Sequence, residues 1–198
     1  GELELHYQPL MDVASNRISG VEALIRWNHS EKGWISPADF IPIAETSGLI
    51  IPLGRWVIQQ ACEQVSFWPD LTVAVNVSPS QFADEGLIDF VKETLRKTGV
   101  AGERLEIEVT EGLLLDDQYR PIDKLLALKS LGIKIAMDDC APPKRPQHLV
   151  VDGQPGHLAI GRRGRSGKRR RRLKAAIRFW PSGGGGALSP APAMHITQ

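Results

Sequence analysis

The chain has 198 residues, 42% of them hydrophobic and 24% charged, enough for one domain with a core of its own. Its net charge of +1 conceals a division: residues 1–141 carry 12 Lys and Arg against 22 Asp and Glu, a balance of −10, whereas residues 142–198 carry the other 12 basic residues against Asp152 alone, a balance of +11. No apolar run approaches the ~20 residues that a membrane-crossing helix needs, no secretory leader is recognisable, and two cysteines, Cys62 and Cys140, supply neither a disulfide framework nor paired ligand spacing, so a cytoplasmic location is expected.

Leu3, Leu5 and Tyr7 alternate with Glu2, Glu4 and His6, the period of a half-buried strand that Pro9 should limit. Because the chain opens on Gly1, almost inside this strand, a preceding portion is expected. Asp12 to Arg17 reads as a polar turn, Ile18 to Trp27 as a second strand, and Asn28 to Trp34 as a polar loop. Ser36-Pro37-Ala38-Asp39 has the chemistry of a helix start, with Ser36 as cap, Pro37 in the first position and Asp39 at the positive end. That helix should end near Gly48, and a second should run from about Leu53 to Trp68.

Leu71 to Val77 predicts a short apolar strand, Glu85 to Lys97 an amphipathic helix closed by Gly99, and Leu105 to Thr110 another strand. A helix over about Arg120 to Leu131, closed by Gly132, leads into the strand Ile133 to Asp139. The alternation of strand and helix from Leu71 onward predicts parallel strands joined by right-handed crossovers, in a sheet or barrel. After Cys140 this grammar stops. Ala141-Pro142-Pro143 breaks regular structure, Gly161 to Lys174 holds nine Lys or Arg residues, and Gly183 to Gly186 with Ser-Pro-Ala-Pro is linker chemistry, so residues 142–198 are expected to be disordered.

Successive strand ends carry hard oxygen donors: Asn76, Glu108 and the pair Asp138-Asp139, with Glu22 on the earlier strand. In a parallel barrel such ends converge on one rim, where carboxylates distant in sequence can meet. Oxygen-only ligands suit Mg²⁺ or Mn²⁺, and adjacent aspartates can bridge two ions that clamp a phosphodiester. Taken singly, each residue has an ordinary reading: Glu22 as a solvated edge, Asn76 as a strand terminator, Glu108 as a partner of Glu106, Asp138-Asp139 as a turn. Their shared position at strand ends points to a metal site.

Glu22-Ala23-Leu24, within Val-Glu-Ala-Leu-Ile-Arg-Trp, resembles the signature of EAL domains, the bacterial cyclic di-GMP phosphodiesterases. His6-Tyr7-Gln8-Pro9, Ser36 to Pro42, Ala44-Glu45, Ala74 to Ser78, Glu108 to Glu111 and Met137-Asp138-Asp139 match that family's pattern in order and spacing, over residues 2–139. The resemblance implies an incomplete TIM-like (β/α) barrel of the EAL type over residues 1–141 and hydrolysis of cyclic di-GMP to linear pGpG. It assigns Glu22, Asn76, Glu108 and Asp138 to one Mg²⁺ or Mn²⁺ ion and Asp138 and Asp139 to a second, with Glu22, Glu108, Asp138 and Asp139 as the catalytic set. Leu24 and Arg26 would contact substrate, Arg26 through a phosphate, and Gln8 and Pro42 would line the dinucleotide site. Glu111 would have a supporting role. Members of the family often dimerise and are fused to sensory or diguanylate cyclase domains.

The sequence departs from the family after Asp139, where Cys140-Ala141-Pro142-Pro143 replaces Phe-Gly-Thr-Gly. The family's water-activating lysine, a later glutamate and a final glutamine have no counterpart, and Lys174 sits in a basic run without strand context. About five of the eight barrel strands are accounted for, which predicts open edges, instability and weak or no turnover. The abrupt change of composition suggests out-of-frame translation from residue 142. Two other functions stay open: a degenerate receptor that binds cyclic di-GMP without cleaving it, and non-specific nucleic-acid binding by Arg162 to Lys174. The second is disfavoured, because only Phe179 and Trp180 offer stacking and no binding motif frames the run.

Overall fold

The structure is a computed structural model, and it describes residues 1–110, 113, 121–138 and 170–172. Strands β1 (Leu3–Asp12) and β2 (Arg17–His29) form an antiparallel hairpin in which Leu3 faces Trp27 and Asp12 faces Arg17. The polar turn between them is built by Asp12, whose Oδ1 accepts from the backbone N–H of Ala14 (3.0 Å) and Ser15 (2.9 Å), while Asn16 takes the left-handed conformation common to Asn in turns. β1 does not end at Pro9: it continues opposite Val21 and Gly20, and a register shift follows between Leu10 and Met11.

The segment expected to be a polar loop contains β3 (Gly33–Ile35), which pairs with the end of β2. Glu2 fastens this corner, accepting from Trp27 Nε1 at 3.0 Å and from the Ser30 backbone N–H at 2.9 Å. Helix α1 (Pro37–Thr46) starts as its sequence dictates, with Ser36 Oγ accepting from Ala38 N and Asp39 in the first turn. Helix α2 (Ile50–Ser66) begins three residues before the expected Leu53; Pro52 is tolerated because first-turn N–H groups have no intrahelical partner.

Next come β4 (Thr72–Asn76), α3 (Pro79–Ala83), α4 (Leu87–Thr98), β5 (Leu105–Thr110), α5 (Pro121–Ser130) and β6 (Lys134–Asp138). Glycines in the left-handed region close both crossovers, Gly99 after α4 and Gly132 before β6. Strands β2, β4, β5 and β6 run parallel, and the sheet order is β6-β5-β4-β2-β1. The architecture is α/β, with the parallel strands and crossover helices of a partial TIM-like barrel; among the described residues the sheet does not close. Of the tail, Arg170–Arg172 form β7, antiparallel to Leu10–Asp12 of β1. The rest of 142–198, where disorder is expected, lies outside the described residues.

The core lies between the sheet and its helices. Val21, Val73, Val75, Leu105 and Ile107 are fully buried and cluster with Ile58, Ala61 and Val65 of α2, Val91 of α4, and Leu125 and Leu128 of α5. Arg104 ties the end of α2 to the sheet, donating to the carbonyls of Val65 (2.6 Å), Trp68 (2.5 Å) and Leu71 (3.1 Å), the arrangement a helix C-terminus favours for a cation. Cys62 is buried in this core, and burial pushes its thiol up to about 12, so it serves as a small apolar side chain rather than a reactive one. Cys140 lies outside the described residues. No described helix is long and apolar enough to cross a membrane.

Candidate functional site

The register of the parallel strands places the oxygen donors. Glu22 on β2 pairs with Ala74 on β4, Asn76 pairs with Glu108 on β5, Glu108 pairs with Ala136 on β6, and Thr110 with Asp138. Side chains on a strand alternate faces with period two, so Asn76, two residues beyond Ala74, shares a face with Glu22 and with Glu108. Asp138 stands two residues beyond Ala136, at a backbone position of the same parity. Glu22, in mid-β2, Asn76, at the end of β4, and Glu108, toward the end of β5, thus step across three neighbouring strands on the face opposite the helix-packed core.

The contact between the first two is direct: Asn76 Nδ2 donates to Glu22 Oε1 at 3.0 Å. Glu22 is 2% exposed and Glu108 8%, whereas Asn76 is exposed at its strand end. With the amide nitrogen turned to Glu22, the Asn76 carbonyl oxygen is the atom left for another partner. The ladder extends one step past Asn76, since Val77 N–H donates to the Glu108 carbonyl at 2.9 Å. Glu106, buried on the same face one layer down, pairs in backbone register with the exposed Lys134 of β6. Burying three acidic side chains together costs free energy unless positive charge compensates them.

This donor chemistry fits Mg²⁺ or Mn²⁺: oxygen atoms only, from carboxylate and amide, and no His or Cys among Glu22, Asn76 and Glu108. Among the described residues no three of His, Cys, Asp and Glu form a metal-holding group. The described share of the expected ligand set is Glu22, Asn76 and Glu108; Asp139 and Glu111 lie outside it, and Asp138 is placed by its backbone alone.

Beside the strand ends lies a cavity of about 300 Å³. Leu24, Arg26, Asn76 and Glu108 line one side of it, Ile41 and Glu45 of α1 another, and Ile50, Leu53 and Val57 of α2 a third. Two of the four expected substrate contacts, Leu24 and Arg26, therefore meet the ligand positions in one cavity. Arg26 is half-buried, with Nη1 donating to the Ile25 carbonyl at 2.8 Å. Gln8 pairs in register with Glu22, but neither it nor the exposed Pro42 of α1 belongs to the cavity lining among the described residues.

One feature of the wall was not foreseen. Gln81, 7% exposed, accepts from Ser78 N–H at 2.7 Å and donates to the Ile50 carbonyl at 2.9 Å, so it joins the turn after Asn76 to the first turn of α2. A Cβ at Gly54 would fall 1.4 Å from Gln81 Nε2, which explains a glycine in the middle of the helix. The spacing of Ser78 and Gln81 is a capping box, and that was the available signal; the approach of α3 to α2 was not.

The family model described as "EAL domain" matches residues 1–145. The chain belongs to the EAL domain family. An uncharacterized signaling protein of Caulobacter vibrioides is 48% identical over 139 residues, which is 70% of this chain and 17% of that protein. The bifunctional diguanylate cyclase/cyclic di-GMP phosphodiesterase MucR of Pseudomonas aeruginosa is 39% identical over 143 residues, 70% of this chain and 21% of that one. Among solved structures, the PaMucR phosphodiesterase in its c-di-GMP complex superposes with a TM-score of 0.67 at 38% identity, over 72% of this chain and 60% of that chain. The EAL enzyme Bd1971 in its cAMP- and cyclic-di-GMP-bound form gives 0.65 at 31% identity, over 69% and 40%. This EAL chain thus spans about a fifth of the length of these curated relatives.

Proposed function

We propose that this EAL domain binds cyclic di-GMP at the C-terminal ends of its parallel strands, together with Mg²⁺ or Mn²⁺, and that it converts the dinucleotide to pGpG slowly or not at all. The observation that carries the reading is the Asn76–Glu22 contact beside Glu108, opening on the cavity that Leu24 and Arg26 share. Similarity to the PaMucR phosphodiesterase, solved in a c-di-GMP complex, supports the choice of ligand.

In this reading Glu22, Asn76, Glu108 and Asp138 would hold one ion, and Asp138 and Asp139 would hold a second. Bound there, divalent ions would lower the pKa of water and neutralise the phosphodiester. Arg26 supplies a fixed cation for a phosphate oxygen, and Leu24 covers an apolar part of the ligand. Gln8 and Pro42 would meet the dinucleotide only if it reaches beyond the cavity. Burial of Glu22 and Glu108 keeps water from competing for their oxygens.

Weak turnover follows from the sequence after Asp139. There Cys140-Ala141-Pro142-Pro143 replaces the family's continuation, and no residue answers to its water-activating lysine. A module that binds without cleaving is the second reading, favoured by the same observation. The test is incubation of the purified chain with cyclic di-GMP and Mn²⁺ or Mg²⁺, followed by chromatographic separation of pGpG. Little product is expected. Rapid, metal-dependent pGpG formation would overturn the claim of weak turnover while supporting the site.

A further inference from the structure

The cavity has a wall to which the phosphodiesterase reading assigns no role. On α1, Pro37, Ile41 and Glu45 recur four residues apart, so one stripe of that helix faces the cavity. Opposite chemistry is scarce on this side: α2 adds Ile50, Leu53 and Val57. Glu45 is thus a carboxylate set among apolar side chains. It is half-buried, and its side chain makes no hydrogen bond or ion pair among the described residues. Arg26 and Glu108 line the same cavity, but neither engages it. A half-buried carboxylate with apolar neighbours is poorly satisfied until a donor arrives.

The ligand that suits such a wall is a flat ring with apolar faces and two adjacent N–H donors on one edge. Guanine has that edge, in N1–H and the exocyclic N2 amino group. Adenine instead presents an acceptor, N1, next to its amino group, and would set a lone pair against the carboxylate. We propose that Glu45 reads one guanine of the ligand, its two oxygens accepting from N1–H and N2–H while Ile41, Leu53 and Val57 cover the ring. The inference rests on the cyclic di-GMP reading and deepens it: the strand ends take the phosphate, and α1 selects the base. It also makes Glu45 a specificity residue and not a catalytic one, since it touches no reacting atom.

The experiment measures dissociation constants of cyclic di-GMP and cyclic di-AMP, by calorimetry with Mg²⁺, for the full chain and for Glu45→Gln, Glu45→Ala and Glu45→Asp. The backbone carbonyl of Glu45 accepts from Gly48 N–H, but the side chain has no partner among the described residues, so all variants should keep the parent's circular dichroism and melting temperature. A bidentate base contact discriminates by roughly 10- to 100-fold, so Glu45→Gln and Glu45→Ala should weaken cyclic di-GMP binding by about that factor. Cyclic di-AMP binding should be unchanged or improved, and Glu45→Asp should retain part of the preference. Unaltered affinity and preference in both Gln and Ala variants would overturn the role of Glu45 and leave the cyclic di-GMP reading intact. Equal binding of both dinucleotides by the parent would also overturn it. Binding of neither by a folded parent chain would overturn the ligand reading and this inference together.

Discussion

The two faces of the parallel strands share a backbone and differ in almost everything else. On one face Val21, Val73, Val75, Ile107 and Val109 are buried in a cluster that includes α2, α4 and α5. On the other, at the intervening positions, stand Glu22, Asn76, Glu106 and Glu108. The helix-facing side gains stability in proportion to the apolar area it removes from water. The other side spends stability, because it gathers buried carboxylates that a fold alone does not need. The difference teaches which substitutions should damage the fold and which the site, even between adjacent residues.

Ile107→Ala removes a fully buried side chain from the apolar face and should lower unfolding free energy by about 2–5 kcal/mol in urea denaturation. An effect well under 1 kcal/mol would show that this face is not the stabilising one. Gly54→Ala comes next. Its Cβ meets Gln81 Nε2 at 1.4 Å, so it should cost about 1–3 kcal/mol, and Gly54→Ala with Gln81→Ala should cost less than the sum of the two singles. Strict additivity would mean that the two residues do not share this contact.

On the polar face, Glu108→Gln should leave the melting temperature unchanged or raise it, because it relieves repulsion among Glu22, Glu106 and Glu108. The same change should weaken Mn²⁺ binding, followed by calorimetry, by more than about tenfold. A large loss of stability with Mn²⁺ affinity intact would reverse the roles assigned to the two faces.

The smallest effect belongs to neither face. Trp27 Nε1–H, then the Ser30 backbone N–H, hold the Glu2 carboxyl down at about 2 from its ordinary 4.5. A carboxyl lowered on folding stabilises above its unfolded value, and that contribution is lost as pH falls from about 4.5 toward 2. Melting temperatures recorded across this window should fall more steeply for the parent than for Glu2→Gln; parallel curves would remove Glu2 as the fastening of that corner.

Much of this contrast was legible in the sequence. The run from Leu71 to Asp139 alternates strand and helix with glycines at the crossovers, and its apolar and acidic residues alternate within Leu105 to Thr110, so both faces follow from a period of two. Features that depend on approach between distant segments were not legible. β3 is three residues long and α3 five, too short for either to display a period. Pro9 suggests an end to β1, yet the strand passes through it and shifts register one residue later, which only its partner strand reveals. Gly54 reads as a weak point in a helix until Gln81 is seen against it. The candidate site divides in the same way: Asn76 and Glu108 were marked by their place toward strand ends and Glu22 by its Glu-Ala-Leu context on the earlier strand, whereas the cavity that joins Leu24 and Arg26 to α1 and α2 arises from the packing of helices over that rim.

The account stands most directly on one titration: cyclic di-GMP into the folded chain by calorimetry, with and without Mn²⁺, for the parent and for Glu108→Gln. It predicts saturable one-to-one binding that Mn²⁺ strengthens in the parent and not in the variant. A chain that melts cooperatively yet gives a flat titration in Mn²⁺ would contradict it.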